Sequence, residues 1–150
     1  MSGPKLRGTL IGLELFTAVG AIAGAIFVVP GLPREWLAGS PFSDYAIPAL
    51  ALGILCGGGS LAAAIAVAWR PVLGGIVSVA AGAAMAIFEV VEVAAVGLMI
   101  LKFPTEPASY LQPFYFAIGV VIAALGILVW RDVGTSERTF QSTPASQGAI

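Results

Sequence analysis

The stretch of sequence that decides the fold is Val72–Leu101, VLGGIVSVAAGAAMAIFEVVEVAAVGLMIL, whose only charged residues are Glu89 and Glu92. A helix rises about 1.5 Å per residue and the hydrocarbon core of a bilayer is roughly 30 Å thick, so about 20 apolar residues cross it. This run of 30 residues would cover about 45 Å as one helix, so we expect it to tilt or to project beyond the bilayer. It predicts a transmembrane helix that carries acidic side chains.

Three further apolar runs are separated from this one by charged residues and prolines. Backbone amides and carbonyls find no partner in lipid, so each run is expected to be helical, and the alternating pattern of a β-barrel is absent. We predict an all-α membrane protein, with residues 1–130 forming one up-and-down bundle of four transmembrane helices and residues 131–150 a polar cytoplasmic tail, mostly unstructured. The predicted spans are 9–29, 46–69, 72–101 and 114–130, with an outer loop at 30–45 that is either a plain connector or holds a short interfacial helix at Pro33–Leu37.

The composition excludes several classes of protein. Hydrophobic residues make up 59% of the chain and charged residues 10%, with a mean hydropathy of +1.00, whereas a soluble domain carries about 25% charged residues. A net charge of −1 gives no field for nucleic acid. With no histidine and one cysteine, we expect no metal site, no cofactor and no internal disulfide, and the absence of a nucleophile–base pair predicts that the protein is not an enzyme.

The basic residues are divided unequally between the two ends of the predicted bundle. Cytoplasmic segments carry an excess of Lys and Arg, so five residues against two predict that both termini are cytoplasmic. The protein is therefore expected to be a multi-pass protein of the cell (cytoplasmic) membrane. The five basic residues on the predicted cytoplasmic side lie near the N-terminus, in the turn between spans two and three, and after span four: Lys5, Arg7, Arg70, Arg131 and Arg138. The two on the other side, Arg34 and Lys102, lie in the outer loops.

Small and polar residues recur in steps of three and four along each span, which predicts the seam of a left-handed bundle. In span three this stripe holds both carboxylates and the only serine of the span. Close-contact pairs of the GxxxG type add to the pattern in spans one and two. The glycines predicted to pack against a neighbouring helix are Gly20, Gly24, Gly53, Gly57, Gly82 and Gly119.

Three carboxylates, Glu14, Glu89 and Glu92, lie inside the predicted spans without a Lys, Arg or His to neutralise them. An ionised carboxylate near the bilayer centre costs about 3 kcal/mol or more, so the neutral acid is favoured there, and Glu89 and Glu92 are expected to share a proton as a coupled pair. With Lys102 at the outer boundary, Glu14 and Glu89 would lie at a similar depth, whereas with Arg70 at the inner boundary Glu89 would lie more than one helical turn further out. The candidate ligand- or proton-binding residues are Glu14, Thr17, Ser78, Glu89, Glu92 and Tyr115. Alternatively, the glutamates are protonated and form hydrogen bonds with backbone carbonyls, Thr17 or Tyr115. Their role would then be structural, because these hydrogen bonds would fix the register between neighbouring helices.

Three segments carry a resemblance to a known group of proteins. Ser40–Tyr45 with Ile47-Pro48, Glu89–Val93 and Leu111–Phe116 resemble an uncharacterised group of small bacterial four-helix integral membrane proteins over most of residues 9–130. The resemblance implies the topology and a bacterial origin and brings no activity with it. Glu14 in the first of four spans is also similar to the pattern of the small multidrug resistance transporters, which are shorter, have minimal loops and lack a glutamate pair in span three.

Three functions follow as hypotheses. The first is a non-catalytic membrane protein that acts by association, with copies of itself or as a small subunit of a membrane complex, in contact with the lipid bilayer. The second is a proton-coupled small-molecule carrier or ligand-binding bundle that uses Glu89 and Glu92. The third is a transporter similar to the small multidrug resistance proteins that uses Glu14.

Overall fold

The computed structural model describes residues 3–28 and 31–141, and all regular structure in these two segments is helical. It contains four helices that are long and apolar enough to cross a membrane, which confirms the four predicted helices. The first long helix is α1 (Gly3–Ala23), which ends in a π-helix at Gly24–Val28, and the second consists of α2 (Ala46–Ala51), a π-helix at Leu52–Gly58 and α3 (Gly59–Trp69). The third consists of α4 (Pro71–Val96) and the short helix α5 (Met99–Lys102). The fourth begins with a 3-10 helix at Pro107–Tyr110 and continues as α6 (Leu111–Gln141).

Consecutive long helices run antiparallel around a common seam. The most extensive contact joins α4 to α6, and α1 packs against both α3 and α6. Because Gly75 lies against Gly126 while Gly82 lies against Gly119, α4 and α6 must run in opposite directions. Arg70 alone connects α3 to α4, and Pro71 at the first helical position starts α4 without losing a helical hydrogen bond. The result is an up-and-down arrangement of four helices.

The third apolar segment has nearly the predicted bounds, Pro71–Lys102, but it contains a break that the sequence did not predict. The sequence predicts one helix over 72–101, but α4 ends at Val96, where Gly97 takes φ 84°, a left-handed conformation that favours glycine. The Lys102 ammonium donates a hydrogen bond to the Val96 carbonyl across this break. The apolar run is thus divided into α4 and the short helix α5.

The fourth helix is longer than predicted. The sequence predicts a span over 114–130 and an unstructured tail from Arg131, but α6 runs from Leu111 to Gln141, so that expectation is wrong for residues 131–141. Adding residues to an existing helix costs little, and no proline occurs between Arg131 and Gln141 to stop it. The rest of the predicted tail, residues 142–150, lies outside the described residues.

The outer loop folds over one end of the bundle. A 3-10 helix forms at Arg34–Leu37, close to the predicted interfacial helix, but Trp36 and Leu37 face inward and are buried. The Trp36 ring stacks on the Phe103 ring with 4.8 Å between the ring centroids. Both rings pack in one apolar cluster with Val96, at the end of α4, and Met99, at the start of α5. We call this cluster the outer cap; its buried members are Trp36, Leu37, Val96 and Met99.

Candidate functional site

Apolar and polar side chains alternate in layers along the seam. At the end of the bundle that holds the N-terminus, the inner apolar layer contains Leu6, Leu10 and Val67, and further along a middle apolar layer contains Ala21, Cys56 and Met85. Buried polar residues lie between these two layers, and buried and half-buried polar residues lie between the middle layer and the outer cap. We call the first group the inner polar cluster (Glu14, Thr17, Ser60 and Ser78) and the second the outer polar cluster (Glu89, Glu92, Gln112 and Tyr115).

The close approach of α4 and α6 positions both clusters. A Cβ atom added at Gly75 would stand 2.8 Å from the Gly126 carbonyl oxygen, and one added at Gly126 would stand 2.8 Å from the Gly75 carbonyl oxygen. Gly82 and Gly119 repeat this contact two turns away. Because these glycines let the backbones touch, Ser78 and Glu89, which lie on the same stripe of α4, are enclosed at the seam.

The inner polar cluster is assembled from three helices. Glu14 and Thr17 lie one turn apart on α1, and α3 contributes Ser60 and α4 Ser78. Glu14, Thr17 and Ser78 are each 0% exposed. The Ser60 and Ser78 hydroxyls lie close to the Glu14 carboxyl. Nevertheless, neither Glu14 oxygen makes a hydrogen bond of ordinary geometry, and the Thr17 and Ser78 hydroxyls are also unpartnered.

This arrangement corrects one expectation from the sequence. Glu14 lies beside Ser78, and Ser78 precedes Glu89 by 11 residues on the continuous helix α4, a separation of roughly 16 Å along its axis. This separation agrees with the anchoring at Arg70 and not with the anchoring at Lys102. The middle apolar layer separates the two acids, so they belong to different sites.

Glu89 and Glu92 occupy different environments within the outer polar cluster. Glu92 is half-buried and accepts a hydrogen bond from the Gln112 amide at 3.3 Å. Glu89 is only 4% exposed, its Oε2 atom has no hydrogen-bond partner, and no hydrogen bond joins it to Glu92. The expected sharing of a proton between the two stays a prediction.

Gln112 organises the outer polar cluster, and the sequence analysis did not single it out. Its side-chain oxygen accepts a hydrogen bond from the Met99 amide at 2.9 Å, and its nitrogen donates to the Gly97 carbonyl at 3.3 Å as well as to Glu92. Gln112 thus ties the chain break after α4 to the start of α6. A lone amide side chain at the start of an apolar span was the available signal. Ser60 was also absent from the candidate residues, since a lone serine in an apolar span gives no stronger signal.

A groove with a volume of about 270 Å³ opens beside Glu89 between α4 and α6. The Glu89 carboxyl and the Gln112 amide are its polar lining, and its other walls are apolar. A groove of this kind offers one carboxylate to a positively charged group and an apolar surface to the remainder of a small molecule. The apolar lining residues are Val90, Val93, Leu98, Pro113 and Phe116.

Two tyrosines border the outer polar cluster. Tyr115 packs on the middle apolar layer, and its hydroxyl lies against the backbone of α1, where a Cβ added at Gly20 would stand 2.5 Å from it. Tyr45, just before α2, donates a hydrogen bond to the Pro33 carbonyl at 2.9 Å. Burial raises the pKa of the Tyr45 hydroxyl above its usual value, and the negative charges of Glu92 and Glu35 raise it further.

The remaining glycines that were predicted to pack also contact a neighbouring helix of the same chain. A Cβ at Gly24 would meet Leu52 at 3.4 Å, one at Gly53 would meet Ala25 at 3.2 Å, and one at Gly57 would meet the side chain of Ile22 at 2.7 Å. These contacts join the first long helix to the second. The GxxxG pairs therefore face neighbouring helices of the same chain.

The chain matches no protein-family model, no curated protein and no solved structure. Among the described residues, no group of three or more His, Cys, Asp or Glu side chains is placed to hold a metal ion. The described residues therefore form an all-helical bundle of four long apolar helices, with one enclosed polar cluster and one polar cluster beside an open groove.

Proposed function

We propose that this protein is a multi-pass protein of the cell membrane, with both termini in the cytoplasm and the loop that contains Trp36 outside. The long helices expose large apolar side chains, among them Phe16, Ile54 and Leu128, which suits a surface in contact with lipid. The positive-inside rule supports the orientation, because five of the seven basic residues lie at the end of the bundle that holds the N-terminus.

Cysteine labelling in intact cells tests this topology. In a Cys56→Ser background, a membrane-impermeant maleimide should label Ser43→Cys in intact cells and Ser146→Cys only after the membrane is permeabilised. Extraction with alkaline carbonate should leave both variants in the membrane fraction. Labelling of Ser146→Cys from outside, or release of the protein by carbonate, would contradict the proposal.

We further propose that the protein is not an enzyme and that the groove beside Glu89 binds a small organic cation with an apolar body. The main support is the Glu89 carboxyl, which is almost fully buried, has an unpartnered oxygen and lines a groove with apolar walls. A buried carboxylate is stabilised by a positive charge in contact with it, and intramembrane acids usually mark such sites. Phe116 and Pro113 provide a surface for the apolar part of the ligand.

Benzylammonium is a suitable probe, and benzyl alcohol is its neutral counterpart. The purified protein in mild detergent should be stabilised against thermal unfolding by benzylammonium and not by benzyl alcohol. Glu89→Gln keeps the shape of the side chain but removes its charge, so it should abolish this stabilisation. Equal stabilisation by the two compounds, or an unchanged effect in Glu89→Gln, would contradict the proposal.

The same assay separates this function from the other predictions. In a transporter similar to the small multidrug resistance proteins, Glu14→Gln and not Glu89→Gln would abolish the effect of benzylammonium. Action by association predicts instead a stable oligomer or a membrane complex that survives mild detergent. The resemblance to small bacterial four-helix membrane proteins is compatible with each of these functions and stays a prediction.

A further inference from the structure

We propose that the inner polar cluster is a binding site for one monovalent alkali cation, with Na⁺ as the probe ion. It is a second site, separated from the groove at Glu89 by the middle apolar layer, and the proposal does not depend on the function of that groove. The structural basis is the meeting of unpartnered oxygen atoms from different helices in the closed interior of the bundle.

The cluster has the ligand chemistry of a hard cation. Both Glu14 carboxyl oxygens and the hydroxyl oxygens of Thr17 and Ser78 are buried without a hydrogen-bond partner, and the Ser60 hydroxyl lies close to the same carboxyl. Hard cations prefer carboxylate and hydroxyl oxygens. Polar atoms left without a hydrogen bond in a closed interior are costly, and a single cation held at the Glu14 carboxyl would offset that cost.

The net charge of the site selects a monovalent ion. The cluster contains one carboxylate, so an ion with a single charge leaves the site neutral, whereas a divalent ion would leave an unbalanced positive charge in an apolar interior. Arg7 is the basic residue on the same face of α1, two turns before Glu14. Its guanidinium instead donates hydrogen bonds to the carbonyls of Val67 at 3.2 Å and Ala68 at 3.4 Å, at the end of α3.

The surroundings suit an ion that is bound without its hydration shell. Leu10 lies one turn before Glu14 on α1 and Met85 lies two turns after Ser78 on α4, and both side chains are fully buried. Ser60 follows directly after the π-helix Leu52–Gly58 and Gly59. π-Helical turns inside α-helices occur frequently at functional sites. The protein oxygens named above would therefore replace water around the ion.

Thermal unfolding in different salts tests the site. Purified protein in detergent is compared in NaCl, KCl, LiCl and N-methylglucamine chloride at equal ionic strength and constant pH. A ligand that binds only the folded state raises the melting temperature in a saturable, concentration-dependent way, so NaCl should do so relative to N-methylglucamine chloride. Glu14→Gln should abolish the effect, and Ser78→Ala should weaken the apparent affinity about tenfold because it removes one oxygen ligand.

Two matched controls make the result specific. Ser109 is also fully buried, but its hydroxyl already donates a hydrogen bond to the Glu106 carbonyl at 2.7 Å, so Ser109→Ala should keep the sodium effect. Glu89→Gln should also keep it while losing the response to benzylammonium. The two proposals can therefore fail independently.

Equilibrium binding of ²²Na⁺ gives a direct measurement that does not depend on the stability of the variants. One saturable site per chain, lost in Glu14→Gln and weakened in Ser78→Ala, is the expected result. Absence of ²²Na⁺ binding with no difference among the four salts would overturn the proposal, because Glu14 would then be neutralised by a proton alone. Retention of ²²Na⁺ binding in Glu14→Gln would overturn it as well.

Discussion

Replacing Gly82 by alanine is predicted to open the contact between α4 and α6. A Cβ at this position would stand 2.6 Å from the Ala123 amide nitrogen and would also collide with the Gly119 carbonyl oxygen. Both obstacles are backbone atoms, which cannot turn aside as a flexible side chain can. To restore ordinary contact the two helices must separate by about 1 Å, and a gap of this size forfeits a quarter to a half of the dispersion energy of each atom pair across it.

The magnitude follows from two opposing effects. Overpacking of a close contact costs about 1–3 kcal/mol, and a clash with backbone belongs at the upper end of that range. Alanine gains about 1 kcal/mol over glycine in helix propensity. We therefore expect Gly82→Ala to lower the free energy of unfolding by about 1–2 kcal/mol.

Gly12→Ala is the matched control, because a Cβ at Gly12 would meet nothing within 4 Å and only the propensity gain remains. Unfolding of both variants can be followed by far-UV circular dichroism as SDS is titrated into mixed micelles. The two variants should differ by about 2–3 kcal/mol, with Gly12→Ala the more stable. Equal stability of Gly82→Ala and Gly12→Ala would refute the close approach of α4 and α6.

Three further predictions concern the outer end of the bundle. Trp36→Ala removes the ring stacked on Phe103 and should lower the free energy of unfolding by about 3 kcal/mol, measured in the same SDS titration; no loss would place Trp36 outside the outer cap. Gln112→Leu leaves the Met99 amide without its hydrogen-bond acceptor and should lower the free energy of unfolding by about 1–3 kcal/mol. Hydrogen exchange at that amide should become faster, and unchanged exchange would contradict the Met99–Gln112 hydrogen bond. The pKa of Tyr45 is raised above its unfolded value of about 10, so the stability that the neutral phenol contributes is present below pH 10 and is lost as the pH rises through the folded pKa. Because Tyr45→Phe also removes the hydrogen bond to the Pro33 carbonyl, it should be less stable than the wild type by a constant amount below about pH 10, and this difference should shrink above about pH 10; a difference that already changes below about pH 9 would contradict the reasoning.

The four helices were predictable because the length and charge of an apolar run are local properties of the sequence. Ala46–Trp69 is bounded by Asp44 and Arg70, and the second long helix has the predicted bounds. The stripe of α4 was predictable for a similar reason, since steps of three and four residues identify one face of any helix. Ser78, Met85 and Glu89 on that stripe are all buried.

The pairing of Glu14 with Ser78 was not predictable, because it depends on the axial register between different helices. That register is set by backbone contacts such as those of Gly75 with Gly126, and in a chain with 19 glycines no local signal distinguishes these from the others. For the same reason the chain break at Gly97 was missed. Gln112 was missed because its three hydrogen bonds go to atoms 13 to 20 residues away in the sequence.

The middle apolar layer has an electrical consequence once the bundle lies across a membrane in the proposed orientation. It separates the inner polar cluster from the outer polar cluster by roughly 16 Å along the bundle axis, measured from Ser78 to Glu89 on α4. This distance is about half of a hydrocarbon core of roughly 30 Å. A transmembrane voltage of 100 mV is worth about 2.3 kcal/mol for one elementary charge that crosses the whole membrane. A cation at the Glu14 level and one at the Glu89 level would therefore differ by about 1 kcal/mol in their response to that voltage, so the resting potential itself would bias occupancy toward the cytoplasmic site.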